Sequence, residues 1–175
     1  MELFTHAIQR GLEAYRNRDK YAYLYGCKGT FLADRQTILN FMAAEPAYFA
    51  KYTNEQKEQI IRNSIGKIGY DCSGFVGWHC TGDKRWSTGQ IENCSKITTI
   101  RDGVAGSIVY TTFGGRGRHI GLDIGYGYCL DMGYESTDAI VASNNHSVRL
   151  TRLAETAWEK SGQSRVLDYT GATNL

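Results

Sequence analysis

The sequence predicts a single α+β domain in which a helix that carries a cysteine packs on an antiparallel β-sheet. Helical periodicity dominates the first 65 residues, and short runs typical of strands follow residue 108. A chain of 175 residues with 42% hydrophobic content can bury one core. Helices that come before the strands are typical of the α+β class.

Residues 1–20 are predicted to form an amphipathic helix packed on the core. Its apolar positions recur at helical spacing: Leu3, Phe4, Ile8, Leu12 and Tyr15. Charged residues interrupt this segment, and no apolar run reaches the length of a secretory signal peptide. No segment approaches the ~20 apolar residues that a membrane-spanning helix needs.

Two more helices are predicted over residues 37–52 and 54–65, with an interruption at Pro46, the only proline. Their apolar positions suit core packing: Ile38, Phe41, Met42, Phe49, Ile60, Ile61 and Ile65. These helices enter directly before residue 72, so we expect them also to form one wall of a cleft beside it.

The amino end of the next predicted helix, at Cys72, is the most informative part of the chain. Asp71 is a good N-cap residue, and an apolar face begins with Phe75 and Val76. A thiol there faces unpaired N–H groups and the positive end of the helix dipole, which favour the nucleophilic thiolate. The same N–H groups could hold an oxyanion. The alternative is that Cys72 is a small buried hydrophobic residue.

A glycine-rich stretch over residues 115–131 predicts a β-hairpin with its turn at residues 125–127. His119 opens the first strand and could act as the base for Cys72. Asp131 ends the second strand and could accept a hydrogen bond from the far ring nitrogen of His119. The alternative for Asp131 is a solvated carboxylate. Asp123 lies ~13 Å along the strand from His119, too far to touch it.

The remaining segments are expected to form scaffold. Strands are predicted over residues 108–112, 139–143 and 148–153, and a short turn of helix over residues 152–159. Residues 86–96 show no clear period, so we expect a long loop near the cleft.

Charge and cysteine content bear on several classes of function. A net charge of +2 is too small to indicate a nucleic-acid-binding surface. Five cysteines cannot all pair within one chain, and no Cys-x-x-Cys occurs, so neither a zinc site nor a disulfide framework is indicated. No metal or cofactor is predicted. His79 follows Cys72 by ~10 Å of helix axis, which is too far for it to act as the base.

The motifs resemble those of the NlpC/P60 cysteine peptidases, papain-like enzymes that cleave peptidoglycan stem peptides. The resemblance lies in Asp-Cys-Ser-Gly-Phe at residues 71–75, in His-Ile-Gly at residues 119–121 with the Gly-Tyr-Gly turn after it, and in Tyr-Leu-Tyr-Gly at residues 23–26. The chain is most similar to members from phages and prophages of Gram-positive bacteria, which carry a helical insertion before the cysteine motif.

The resemblance implies a papain-like NlpC/P60 fold in one catalytic domain over residues 1–175. The implied parts are an N-terminal helix (1–20), the helical insertion (30–68), a Cys/His core (69–170) and a tail (171–175). Cys72 matches the family nucleophile, His119 its base and Asp131 the third polar position. That third residue is usually His and sometimes Glu, Gln or Asn, so an aspartate departs from the pattern.

The implied function is hydrolysis of a stem-peptide amide through an acyl-enzyme, with the bond between D-γ-glutamate and the diamino acid favoured. Tyr23, Asp71 and Ser73 match substrate-binding positions of the family, and the last two would hold a free N-terminal L-Ala amine. The alternatives are an N-acetylmuramoyl-L-alanine amidase and a non-catalytic wall-binding or virion structural module. Acyl transfer to lipid is disfavoured, because related transferases place the histidine before the cysteine.

The implied partner is peptidoglycan, with neither a nucleic acid nor a membrane span expected and the oligomeric state left open. With no signal peptide recognised, a wall enzyme made in the cytoplasm would act on the wall after holin-type release or as a virion component.

Overall fold

The computed structural model describes residues 1–84, 94–113, 116–133, 147–155 and 158–173. Within them the chain has the predicted α+β architecture, with helices and a six-stranded antiparallel sheet. The strand predicted at residues 139–143 and most of the loop predicted at residues 86–96 lie outside the described residues. So does part of the turn predicted at residues 152–159, of which residues 153–155 form a 3₁₀-helix.

The first helix, α1 (Phe4–Arg16), packs on the core as predicted, but through smaller residues than expected. Its buried positions are Ala7, Gly11 and Ala14. Small residues let the helix approach the sheet closely, since a Cβ at Gly11 would lie 3.0 Å from Leu130 Cδ1. Leu3, predicted to lie on the buried face, is exposed and belongs to a short strand, β1 (Glu2–Leu3).

Three helices lie between the strands of a small sheet: α2 (Arg35–Ala44), α3 (Pro46–Phe49) and α4 (Asn54–Ser64). Pro46 separates α2 from α3 as predicted, because proline fits a first helical turn and not a helix interior. The side chain of Asp34 caps α2, and Thr53 forms a capping box at α4. Their apolar faces share a second core cluster that includes Ile38, Phe49, Ile60 and Ile61.

Two sheets position the candidate site. The strands are β2 (Tyr21–Tyr23), β3 (Lys28–Phe31), β4 (Ile68–Tyr70), β5 (Lys96–Thr99), β6 (Ile108–Phe113), β7 (Arg116–Gly125), β8 (Tyr128–Met132), β9 (Val148–Arg152), β10 (Lys160–Gln163) and β11 (Leu167–Asp168), the last paired with β1. The small sheet has the order β2, β4, β3, in which β2 and β4 are parallel. The large sheet has the order β5, β10, β6, β7, β8, β9, and all its pairs are antiparallel.

The predicted hairpin is confirmed in β7 and β8. Its turn needs positive φ at three consecutive residues, Gly125, Tyr126 and Gly127, and the two glycines adopt such angles without steric cost. The register pairs Gly121 with Asp131. Strand β9 then pairs with the outer edge of β8, which brings Arg149 opposite Asp131.

Candidate active site

Cys72 begins the helix that follows β4, and Asp71 caps this helix as predicted. Asp71 Oδ1 accepts a hydrogen bond from Gly74 N at 2.6 Å, and Asp71 O accepts one from Phe75 N at 2.9 Å. Cys72 therefore occupies the first helical turn, where backbone N–H groups have no intrahelical partner. That is the placement expected for a thiolate and for an oxyanion site.

The body of this helix is a π-helix, Gly74–Thr81, which the apolar pattern does not predict. It ends at Gly82, whose φ of 74° is a left-handed helix terminator. Phe75 and Val76 are fully buried in the main core cluster between α1 and the large sheet. Wide helical turns of this kind are rare and occur frequently at functional sites.

The side chain of Cys72 is nearly buried, with 8% exposure, and it belongs to the main core cluster. The surroundings of Cys72 are therefore those expected under the alternative that Cys72 is a small buried hydrophobic residue. The thiol nevertheless lies close enough to the imidazole of His119 to help raise the pKa of that ring. A cysteine that served only to fill space would not need that partner.

His119 lies in β7, and its Nε2 is 2.6 Å from Asp131 Oδ2. Because Gly121 is paired with Asp131, His119 is the diagonal neighbour of Asp131 on the same face of the sheet. Asp131 is fully buried, whereas the His119 side chain is 25% exposed. With Nε2 bonded to the carboxylate, Nδ1 is the ring atom that remains for Cys72.

The imidazole of His119 is stacked on one face by Trp158 and approached closely at its edge by Gly133. Trp158 stacks on it with ring centroids 5.5 Å apart and an interplanar angle of 14°. A Cβ at Gly133 would lie 3.1 Å from His119 Cε1, and a Cβ at Gly121 would lie 3.1 Å from Trp158 Cη2. Glycine at both positions leaves room for the two stacked rings.

Two neighbours decide the charge of His119. Burial by itself lowers the pKa of His119, but hydrogen bonds to Asp131 and Cys72, together with their charges, raise it to about 9. Burial opposes ionisation of Asp131 as well, yet His119 and Arg149 hold the pKa of that carboxyl below its usual value. The imidazole is therefore protonated at neutral pH, the state that stabilises an adjacent thiolate.

Arg149 is a functional candidate that the sequence analysis missed. Its Nε donates to Asp131 Oδ1 at 3.1 Å, and its Nη2 donates to Asp131 Oδ2. Asp131 is thus held between an imidazole and a guanidinium, with both carboxylate oxygens engaged. The strand around Arg149 is predicted from the sequence, but its register against Asp131 is not.

Of the three predicted substrate-binding residues, Asp71 and Ser73 are buried, and the side chain of a lysine binds both of them. Lys28 Nζ lies 2.6 Å from Asp71 Oδ1 and 2.7 Å from Oδ2, and it also donates to Ser73 Oγ. Ser73 Oγ donates to Asp71 Oδ1 at 2.9 Å. Lys28 was not singled out in the sequence, although it follows directly after the Tyr-Leu-Tyr-Gly-Cys segment.

The third predicted substrate-binding residue, Tyr23, belongs to an aromatic group that connects the site to helix α3. Tyr23 is 7% exposed, packs in the cluster that contains Cys72, and hydrogen-bonds to Tyr48 of α3. Tyr48 stacks on Tyr25 with ring centroids 3.8 Å apart. Burial raises the pKa of Tyr25 and of Tyr48, with a smaller contribution from the charge of Cys72. Helix α3 thus reaches the neighbourhood of the thiol.

Other titratable groups considered in the sequence lie away from this cluster. Asp123 is buried near the hairpin turn, where Oδ1 accepts from Gly125 N at 2.8 Å. His79 packs among aromatic rings, including Tyr70 and Phe75.

All five cysteines are free thiols. In the described part of the chain, no group of three His, Cys, Asp or Glu residues suits a metal ion, and no helix is long and apolar enough to cross a membrane.

Comparison with known proteins places this architecture among solved structures. No protein-family model and no curated protein matches the sequence. The peptidoglycan hydrolase RipB from Mycobacterium tuberculosis aligns with a TM-score of 0.50 at 16% identity, over 95% of this chain and 67% of that protein. The chain has the fold of RipB. The chain thus has an α+β fold that matches NlpC/P60 structures, as the sequence resemblance implied.

A second solved structure aligns over almost its full length. The P60 domain of an antigen from Mycobacterium avium subspecies paratuberculosis gives a TM-score of 0.48 at 14% identity, covering 95% of this chain and 98% of that domain. Sequence identity is low in both alignments. The roles of Cys72, His119 and Asp131 in this chain are therefore argued from their geometry.

Proposed function

We propose that this protein is a cysteine-dependent peptidoglycan hydrolase that cleaves an amide bond of the stem peptide. The observation that carries the proposal is the largely buried array in which Asp131 is hydrogen-bonded to His119 and Cys72 lies beside the same imidazole. In this array Cys72 is the nucleophile, His119 the general acid and base, and Asp131 the residue that orients His119. Resemblance in fold to a peptidoglycan hydrolase supports the choice of substrate.

The proposed reaction has two steps. The Cys72 thiolate attacks the scissile carbonyl carbon, and the backbone N–H groups of the first helical turn stabilise the oxyanion. His119 gives its Nδ1 proton to the leaving amine, the C–N bond breaks, and a thioester remains. Neutral His119 then takes a proton from water, which attacks the thioester, releases the carboxylic acid and restores the thiolate–imidazolium pair.

The favoured bond is the one between D-γ-glutamate and the diamino acid, as the sequence resemblance implies. The amidase bond between the glycan lactyl group and L-Ala is the second candidate, because the Lys28–Asp71 pair shows no site for a free L-Ala amine. Mass spectrometry of muropeptides after digestion separates the two. New amino termini on the diamino acid indicate the endopeptidase, and new amino termini on L-Ala indicate the amidase.

The nucleophile is tested by Cys72→Ser, assayed for lysis of purified cell walls. We expect a loss of at least 10³-fold with an unchanged melting temperature, because a hydroxyl is a far weaker nucleophile than a thiolate. Cys129→Ser is the matched control, since Cys129 Sγ lies 3.1 Å from Thr151 Oγ1 and a hydroxyl could keep that contact. Wild-type rates in the Cys72 variant would contradict the proposal and favour a non-catalytic wall-binding or virion module.

The proposed place of action follows from the substrate. Peptidoglycan lies in the cell wall, so we propose that the enzyme works there, delivered after holin-type release or as a virion component.

A further inference from the structure

A buried lysine lies beside the nucleophile, where it neutralises the carboxylate that precedes Cys72 in the chain. Lys28 Nζ contacts both oxygens of Asp71 at 2.6 and 2.7 Å and donates to Ser73 Oγ as well. The side chains of Lys28 and Asp71 are 7% and 9% exposed. An ion pair this well buried is a fixed part of the site and is only weakly screened by solvent.

The backbone around Lys28 explains why its ammonium stays in this position. Lys28 opens β3 and pairs with Tyr70, the residue directly before Asp71. Its aliphatic stem packs against the Cys72 helix, since a Cβ at Gly74 would lie only 3.0 Å from Lys28 Cδ. The side chain is therefore confined between strand and helix, and its length matches the distance to the helix cap.

The charges of Lys28 and Asp71 determine which substrate groups can lie beside this pair. A carboxylate next to the nucleophile would attract a cationic substrate group. Asp71 already accepts hydrogen bonds from Lys28, Ser73 and Gly74 N, and the Lys28 ammonium cancels its charge. A substrate ammonium at this place would meet a second cation and no unpaired anion.

We propose that Lys28 is a specificity-determining residue that selects stem peptides whose N-terminal amine is acylated, as it is while the peptide remains attached to the glycan. This rests on the proposed function. In the favoured cleavage only L-Ala and D-glutamate lie on the acyl side of the scissile bond. Because the glutamate is linked through its γ-carboxyl, the path from the scissile carbonyl to the N-terminal nitrogen spans at most ~9 Å, so that nitrogen stays in the neighbourhood of Cys72 and of the adjacent Asp71–Lys28 pair. An acylated nitrogen carries no charge and is tolerated there.

The test compares two synthetic peptides, L-Ala-D-γ-Glu-diamino acid with a free amino terminus and the same peptide N-acetylated. At pH 6.5 we expect wild-type kcat/KM to be at least tenfold higher for the acetylated peptide. The free amine has an ordinary pKa of about 8, so the ratio should approach unity as pH rises through that value and the amine loses its charge. The titration of His119 acts on both peptides and cancels in the ratio.

Two variants assign the effect to the lysine. Lys28→Arg keeps the positive charge and should keep the preference for the acetylated peptide. Lys28→Gln removes the charge while it retains hydrogen-bonding capacity, and it should raise the relative kcat/KM for the free amine at least tenfold. If Lys28→Gln fails to fold, a wild-type ratio that does not change as pH rises through the pKa of the amine still overturns the inference.

The outcomes separate this inference from the proposed function. Equal or better cleavage of the free-amine peptide at pH 6.5, with the Cys72→Ser variant inactive, overturns the role of Lys28 and leaves the proposed function intact. Failure to hydrolyse both peptides and purified walls removes the proposed function, and the role of Lys28 with it.

Discussion

At the scale of single residues, the chemistry depends on how His119 is bonded. Its Nε2 is fixed by Asp131, which Arg149 holds in turn, and the thiol of Cys72 is its other partner. The sequence alone predicts Cys72, His119 and Asp131 as candidates, because a helix cap and a short hairpin are local patterns. It does not identify Arg149, which comes from β9, a strand whose register against β8 is set by tertiary structure.

The role of Asp131 is tested by Asp131→Asn and the pH dependence of kcat/KM. The pKa of His119 is about 9, so wild-type kcat/KM should fall as pH rises through that value, because the imidazolium loses the proton that the leaving amine needs. Removing the negative charge of Asp131 lowers the pKa of His119, so this fall should begin at least one pH unit earlier in the variant. We also expect kcat to drop about tenfold to a hundredfold. An unchanged profile with nearly full turnover would remove Asp131 from the catalytic set.

At the scale of elements, the Cys72 helix and the hairpin that carries His119 are the parts that the sequence predicts best. Their signals are local: a capping aspartate before an apolar run, and glycines that permit positive φ in the turn. The short strands β2, β3, β4, β5, β10 and β11 are not predicted. Each has two to four residues with little alternation, so partners elsewhere in the chain determine their conformation.

The close contact between β3 and the Cys72 helix predicts that Gly74→Ala is strongly disruptive. The added Cβ would lie 2.7 Å from Cys27 O and 3.0 Å from Lys28 Cδ, so the helix end must shift. We expect a loss of about 2–3 kcal/mol in the free energy of unfolding, measured by urea denaturation, with reduced kcat/KM in the folded fraction. Gly171→Ala is the control, since that position has a φ of 78° and no atoms within 4 Å. The control should lose only about 1 kcal/mol from backbone strain; equal losses in both variants would contradict the close packing at Gly74.

At the scale of the whole molecule, the candidate site lies where the two sheets and helix α3 meet. The small sheet supplies Lys28, the large sheet supplies His119 and Asp131, and α3 supplies Tyr48. Only the general layout of helices before strands can be predicted from the sequence. The Lys28–Asp71 pair joins residues 43 positions apart in the chain, and such a contact becomes visible only once the small sheet is formed.

The central claim is that Cys72 is the reactive thiol of this protein because it lies beside a protonated His119. It is tested most directly by alkylation of the native protein with iodoacetamide at pH 6, with the modified cysteines identified by peptide mass spectrometry. We expect Cys72 to react at least tenfold faster than the other four thiols. Burial raises the pKa of Cys27 and of Cys80, and that of Cys129 to about 12, and Cys94 is buried as well. His119→Ala should remove most of that advantage. Modification of Cys72 no faster than the other thiols would contradict the claim.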